Sequence, residues 1–190
     1  MKNLFQISIS VFIITLLVCS FWASIIQGSH TTWTGSFAYL PHGCKVIFFC
    51  FFGYRALPAL LSAELTCHYL EWHNNGLAFF YSASFTSLAS VVIAVEILKW
   101  SRVSLDNNIN LYSKLNLINY KFILLVIVLS ALFSSIFTNL TLATFNDIAI
   151  NVPVIVRFFV GDIVGSLIFL FALIVILRVL LTQNYFKSLK

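Results

Sequence analysis

The sequence predicts an all-α fold, a polytopic transmembrane helix bundle of about six membrane segments that forms a single domain over residues 1–190 without a soluble output domain. Three observations predict it. The chain is 61% hydrophobic and only 9% charged, with a mean hydropathy of +1.00. Soluble globular domains carry about 25% charged residues, so this chain has too few charges to cover a water-facing surface. Apolar runs of about 20 residues, enough to span the hydrocarbon core of a bilayer, recur along it.

Four apolar runs are plainly long enough to be spanning helices, and they cover residues 5–26, 77–99, 121–143 and 153–181. The first follows Lys2, and a cleaved signal peptide is the alternative interpretation of it. The run is longer than the apolar core of a signal peptide, and no small-x-small cleavage motif follows it. We therefore expect a retained helix.

The stretch 39–73 is too long for one span and is interrupted at Gly53, Arg55 and Pro58. A proline inside a helix removes a backbone hydrogen bond and clashes with the preceding turn. We therefore expect a short broken hairpin of two helices, 39–53 and 57–73, joined by a tight turn at these three residues.

The positive charges give the orientation of the segments. With a cytoplasmic N-terminus and six segments, only Lys45 and Arg157 of the eleven Lys and Arg residues fall toward the outside. A single kinked span over 39–73 would instead carry Lys99 and Arg102 outward, against the rule that positive residues stay inside. The pattern predicts a multi-pass protein of the cell membrane with cytoplasmic N- and C-termini.

Ionisable side chains inside spanning segments cost about 2.5–3.5 kcal/mol each at the helix centre, so each is a candidate functional residue. Glu64, His68 and Glu71 follow one another at i, i+4 and i+7 and share one helix face. Arg157 and Asp162 lie in the last segment. We expect a polar cluster of Glu64, His68, Arg157 and Asp162 in the outer half of the bundle. It is either a ligand, proton or cation site, or a structural ion pair in which Arg157 neutralises a carboxylate.

Gly161 and Gly165 flank Asp162 in a GxxxG pattern, which lets another helix backbone approach closely. We interpret these two glycines as helix-packing residues. The segment 77–99 offers a matching face of small polar residues, namely Ser82, Ser84, Thr86, Ser87 and Ser90.

Other function classes find little support in the chain. The four cysteines form no CxxC pair, and we expect no metal and no cofactor. Because the Lys and Arg residues do not cluster, we expect that the protein does not bind nucleic acid. An intramembrane enzyme requires a nucleophile beside a base, and the proximity of Ser62, Cys67 and His68 in sequence does not mark one, so no catalytic residue is assigned. The expected partners are the lipid bilayer and another protein, and the oligomeric state stays open.

Three motifs stand in order along the chain: Pro41-His42-Gly43, Gly53-Tyr54-Arg55-Ala56-Leu57-Pro58 and Gly161-Asp162-x-x-Gly165. Together they resemble the bacterial membrane-associated sensor domain family of the first type, found at the N-terminus of some histidine kinases and diguanylate cyclases. The likeness covers residues 35–180. This chain departs from the family in three ways. The family usually has more spans than the six expected here, it often has a Trp before the first Pro where this chain has Leu40, and it has a Pro after the late motif that is absent from this chain.

The resemblance implies a sensory or scaffolding membrane module that signals by contact with another protein, since no kinase or cyclase domain follows. From the residues and the resemblance we expect a non-enzymatic protein of the bacterial inner membrane that binds a small ligand or ion in an outer polar crevice. The alternative is a small transporter or channel subunit for protons, cations or a small solute, with Glu64 or Asp162 as the carrier. Transporters often have broken helices in two repeated halves, whereas only one half of this chain is broken.

Overall fold

The computed structural model describes residues 2–26, 36–71, 77–101, 117–146 and 151–188, and nearly all of them are helical. The predicted all-α bundle is confirmed. The helices are α1 (Lys2–Ile26), α2 (Leu40–Phe52), α3 (Leu57–Glu71), α4 (Leu77–Trp100), α5 (Leu117–Asn146) and α6 (Val152–Ser188).

By length and composition, five stretches of the described residues are able to cross a membrane: Phe5–Ile25, Leu40–Leu70, Ser82–Trp100, Tyr120–Phe145 and Val152–Ile176. The second of these stretches contains both α2 and α3. Counting its two helices separately gives the six segments that the sequence predicts.

The chain reverses direction inside this second stretch. A 3₁₀ turn, Gly53–Ala56, separates α2 from α3, and Gly53 has φ 59°, a left-handed conformation that glycine adopts without steric cost. Lys45 Nζ lies 2.8 Å from Glu64 Oε1. In one continuous helix, 1.5 Å of rise per residue would place these two positions about 28 Å apart. The hairpin prediction is therefore confirmed. Pro58 stands in the first turn of α3, where its missing N–H is tolerated.

Contacts at the two ends of the bundle show how the helices alternate. The Trp22 indole donates a hydrogen bond of 2.6 Å to the Ala38 carbonyl, so α1 ends where α2 begins. The Tyr54 hydroxyl donates to Glu96 Oε1 at 2.9 Å, which places the turn beside the end of α4. We call these the Tyr39 end and the Tyr54 end of the bundle. The N-terminus of α1 and the C-terminus of α6 both lie toward the Tyr54 end.

Helix α2 is the central element, because every residue from Pro41 to Cys50 is buried. It packs against α1, α4, α5 and α6. It runs parallel to α6, since Gly43 faces Ser166 and, further along both helices, Phe48 contacts Phe169. The outer surfaces of the surrounding helices expose large apolar side chains, as expected for contact with lipid.

The interior has two halves of different chemistry. Toward the Tyr54 end the core is apolar and consists of Val46, Ile47, Phe49, Cys50, Val91, Val95, Leu98, Ile123, Val126, Ile127 and Leu170. Toward the Tyr39 end, apolar side chains such as Ala63, Cys67 and Ala83 are interleaved with buried polar ones. On α2 to α6 these polar residues are His42, Lys45, Glu64, Ser84, Ser87, Ser90, Ser130, Ser134, Ser135, Thr138, Asn139, Asp162 and Ser166.

Candidate functional site

A buried ion pair joins α2 to α3. Lys45 Nζ donates to Glu64 Oε1 at 2.8 Å and to Ser87 Oγ on α4 at 2.6 Å. The side chains of Lys45 and Glu64 are only 1% and 3% exposed. Tyr39, just before α2, donates its hydroxyl to the same Glu64 oxygen at 3.2 Å. Desolvation and the Glu64 carboxylate raise the pKa of Tyr39 well above its ordinary value, so the phenol stays protonated and remains a donor.

A second buried pair joins α2 to α6, one turn nearer the start of α2. His42 Nε2 lies 3.0 Å from Ser130 Oγ on α5, and His42 Nδ1 lies 3.6 Å from Asp162 Oδ2. The second distance is longer than a hydrogen bond. Asp162 is also held by a hydrogen bond with the Ser134 side chain. We call the four residues His42, Lys45, Glu64 and Asp162 the buried cluster.

Three polar atoms of the buried cluster have no hydrogen-bond partner among the described residues: Glu64 Oε2, His42 Nδ1 and Asp162 Oδ2. A buried polar atom left unpaired costs about 1–3 kcal/mol, and more when it is charged. Atoms of this kind are therefore where a proton, an ion or a small polar ligand would gain the most by binding.

A non-helical stretch, residues 36–39, lies across the Tyr39 end of α6, and we call it the cover segment. The Tyr39 backbone N–H donates to the Gly161 carbonyl at 2.9 Å, and the Tyr39 ring meets Trp22 edge-on at 4.8 Å. A Cβ added at Gly161 would collide with the Ser36 carbonyl, and one at Gly165 with the Tyr39 backbone.

The close backbone approach predicted from Gly161 and Gly165 is thus present, but its partner is the cover segment rather than another helix. The tight helix crossing lies beside it, where Gly43 on α2 packs against the Ser166 backbone. The predicted outer crevice is not open, because the buried cluster lies beneath these contacts. A groove of about 430 Å³ on α1 and α2 is lined by Gln6, Ser10, Phe48 and their neighbours, and it lies away from the cluster.

The structure brings together three of the four predicted cluster residues. Glu64 and Asp162 are both buried in the polar half of the interior. His68, one turn along α3 from Glu64, is half-buried and interacts electrostatically with Glu64 and Lys45. The Glu71 side chain lies outside the described residues.

Arg157 does not take the role that the sequence suggested. Its guanidinium stacks 4.3 Å from the centre of the Phe37 ring, and the ion pairs of the described residues do not include it. The cation that pairs with Glu64 is Lys45. The reason is position: Lys45 lies inside the enclosed helix α2, whereas Arg157 lies in the second turn of α6 beside the cover segment.

Sequence reasoning missed Lys45 and His42 as site residues, because Lys45 was counted only as an orientation charge and His42 only as part of a motif. A signal was available. Both lie in a short apolar helix, three residues apart and on one face, and a buried lysine carries the same insertion cost as a buried carboxylate.

The order of atoms in Ser130, His42 and Asp162 is the one that serine hydrolases use. Ser130, however, lies in the middle of α5, is 0% exposed and hydrogen-bonds to the Ile127 carbonyl at 3.2 Å. A substrate carbonyl has no approach to its hydroxyl.

At the Tyr54 end, Glu96 accepts hydrogen bonds from Lys99 at 2.7 Å and from Tyr54 at 2.9 Å. Arg55 is exposed. The Glu96–Lys99 pair is 45% and 43% exposed, so it contrasts with the buried Lys45–Glu64 pair.

A scan against protein-family models gives no match, and searches of curated proteins and of solved structures find no similar chain. The resemblance to the sensor domain family therefore stays a hypothesis. Two of its three motifs meet in the fold, since Pro41–Gly43, in the first helical turn of α2, packs against α6 at Asp162 and Ser166. The third motif forms the turn at the opposite end of the bundle.

Proposed function

We propose that this chain is a non-enzymatic sensory or regulatory protein of the bacterial inner membrane. A small ligand or ion binds at the buried cluster, and the resulting change at the Tyr54 end is detected by a partner protein. The observation that carries the proposal is the uneven distribution of charge inside the bundle. The buried charged residues all lie in the Tyr39 half of the described interior, whereas an apolar core fills the Tyr54 half. Such charges in a membrane bundle are functional candidates by default.

The interior disfavours transport, the alternative that the sequence left open. A proton or cation crossing the bundle would need polar groups along the whole path. On α4 the last buried hydroxyl is Ser90, and the buried residues beyond it are apolar as far as Leu98. Ion flux in proteoliposomes that Glu64→Gln abolishes would nevertheless reverse this ranking.

Helix α2 connects the two halves mechanically. It carries His42 and Lys45 near its start and leads directly into the 3₁₀ turn, whose Tyr54 bonds to Glu96 on α4. Its 13 residues form a rigid rod of about 20 Å. A ligand that binds one arrangement of the buried pairs more tightly shifts the population toward it, and α2 carries that shift to the turn.

The proposed orientation places the Tyr39 end outside and the Tyr54 end in the cytoplasm. Arg55 and Lys99 lie at the Tyr54 end, together with the termini of α1 and α6, as the positive-inside rule favours. The buried cluster would then respond to conditions outside the cell, and a cytoplasmic protein would contact the Tyr54 end.

The experiment measures the distance between spin labels at Arg55 and Trp100 in the full chain in nanodiscs. Arg55 lies in the turn and Trp100 is 89% exposed. The pH is varied between about 5 and 8, the range in which histidine changes charge, and Na⁺, K⁺ and Mg²⁺ are added in turn. We expect at least one of these to shift the distance distribution, and the shift to disappear in Lys45→Met.

The matched control is Lys121→Met, which removes an exposed cation at the Tyr54 end and should leave the shift intact. A wild-type distribution that stays constant under every one of these conditions would contradict the proposal and leave the buried cluster a purely structural feature.

A further inference from the structure

We infer that the His42–Asp162 pair is a proton-binding site that holds one exchangeable proton and communicates with the Tyr39 end of the bundle. This inference rests on the proposed function and names its ligand.

The charge balance of the buried cluster points to a proton. Lys45 and Glu64 neutralise each other at 2.8 Å. With a neutral His42, an ionised Asp162 leaves one uncompensated negative charge on a residue that is 3% exposed. An isolated charge in a low-dielectric interior is strongly unfavourable, and a group in that position takes up a proton instead. One added proton makes the whole cluster neutral.

The geometry supplies the place for that proton. Ser130 donates its hydrogen to the Ile127 carbonyl, so its oxygen is available to accept a hydrogen bond from His42 Nε2–H. The neutral imidazole then turns its bare Nδ1 toward Asp162 Oδ2, and two acceptors face each other across 3.6 Å. Both atoms are buried without another partner among the described residues. A proton on Asp162 Oδ2 removes this repulsion and makes the carboxyl group a donor, so that the two atoms can close to hydrogen-bond distance.

The charged groups around His42 and Asp162 have partners of their own, so the titrating unit is the His42–Asp162 pair. Lys45, three residues along α2, and Glu64 on α3 act on it electrostatically and are held by their own hydrogen bonds. Tyr39 is a protonated phenol at this end. In the described residues, α4 and α5 supply only hydroxyl and amide groups to this half of the interior, and Arg157 on α6 stacks on Phe37.

Buried hydroxyls extend from the pair toward the Tyr39 end on α4 and α5. Ser84 Oγ and Thr138 Oγ1 are buried and have no hydrogen-bond partner among the described residues, so both can turn to relay a proton. The opposite direction leads into the apolar core. In the exchange step, a hydronium ion gives its proton to Asp162 Oδ2 and leaves as water, and no electron is transferred.

Infrared difference spectroscopy of the full chain in nanodiscs tests the inference by following the C=O stretch of protonated carboxyl groups across a pH titration. Exposed carboxyl groups such as Glu96 titrate in every variant. Beside them, we expect one further titrating band in the wild type, its loss in Asp162→Asn and its persistence in Glu64→Gln. His42→Gln should keep the band but shift its midpoint by about one pH unit or more, a tenfold change in proton affinity. Because His42→Gln retains Asp162, it still tests the inference if Asp162→Asn does not fold.

Three results would overturn the inference. The band does not titrate in the wild type, or it persists unchanged in Asp162→Asn, or its midpoint is the same in His42→Gln. A midpoint that moves when Na⁺ replaces choline would assign the site to a metal cation instead. Failure of the proposed function is distinguishable, because a proton that titrates at Asp162 without any movement of the Arg55 and Trp100 labels would leave the proton site standing alone.

Discussion

Lys45→Met should be among the most destabilising substitutions in the bundle. Lys45 is 1% exposed, its ammonium lies 2.8 Å from Glu64 Oε1, and it also donates to Ser87. At an effective dielectric constant of about 20, two unit charges at this distance attract by about 6 kcal/mol, part of which offsets their desolvation. Removing one partner of a buried pair leaves an uncompensated charge, which costs about 3–5 kcal/mol. We expect a loss of this size in the free energy of unfolding.

The assay is reversible unfolding in mixed micelles, followed by circular dichroism, with a double-mutant cycle. Glu64→Leu should destabilise by a similar amount, whereas Lys45→Met combined with Glu64→Leu should recover much of the loss, because two apolar residues leave no buried charge. The matched control is Lys99→Met. It breaks an ion pair of nearly the same length, 2.7 Å, whose side chains are 43% and 45% exposed. It should cost no more than about 1 kcal/mol.

The reasoning is refuted if Lys45→Met and Lys99→Met destabilise equally. It is also refuted if the double variant loses the sum of the two single losses, since the two side chains would then act independently. Either result would mean that the Lys45–Glu64 contact is solvated rather than enclosed by the bundle.

Three further outcomes follow from the same structure. Gly165→Ala should destabilise the protein by about 1–3 kcal/mol, because the added methyl group overpacks against the Tyr39 backbone. It should also expose Trp22 to an aqueous fluorescence quencher, and unchanged quenching would contradict the close approach of the cover segment. The pKa of Tyr39 is raised in the folded state, so the stability that its protonated phenol contributes is complete below the ordinary pKa of 10.0 and is lost as the pH rises above that value. Tyr39→Phe should therefore flatten the fall of the unfolding free energy at alkaline pH. An identical slope in the variant would argue against a buried phenol. Single cysteines at Phe37 and Tyr54, both exposed, should react with impermeant reagents from opposite sides of a sealed vesicle, and labelling from the same side would exclude the hairpin.

Rules that act on local stretches of chain explain what could be predicted. A bilayer requires about 20 apolar residues per span and satisfaction of every backbone group within the helix, so the helices can be recognised one at a time. The break at Gly53 and Pro58 is equally local, because each residue alters the backbone at its own position. The predicted hairpin 39–53 and 57–73 therefore lies within a few residues of the observed helices.

The partners within the site could not be found in that way. Lys45 bonds to residues 19 and 42 positions away, and His42 to one 88 positions away. Which of two cations reaches Glu64 depends on the order of the helices around α2 and on their rotation, which no single segment encodes. Lys45 and Arg157 carry the same charge and both lie toward the Tyr39 end, and only their surroundings differ.

By itself, the sequence determined that this protein lies in a membrane, where its helices and its hairpin fall, and that Glu64 and Asp162 would be submerged among them. The tertiary structure alone decided that Lys45 pairs with Glu64, that His42 faces Asp162 and that the cover segment fills the space left by two glycines. The physical reason is that insertion into lipid depends on the composition of each segment, whereas the pairing of buried charges depends on distances of a few ångströms between different segments.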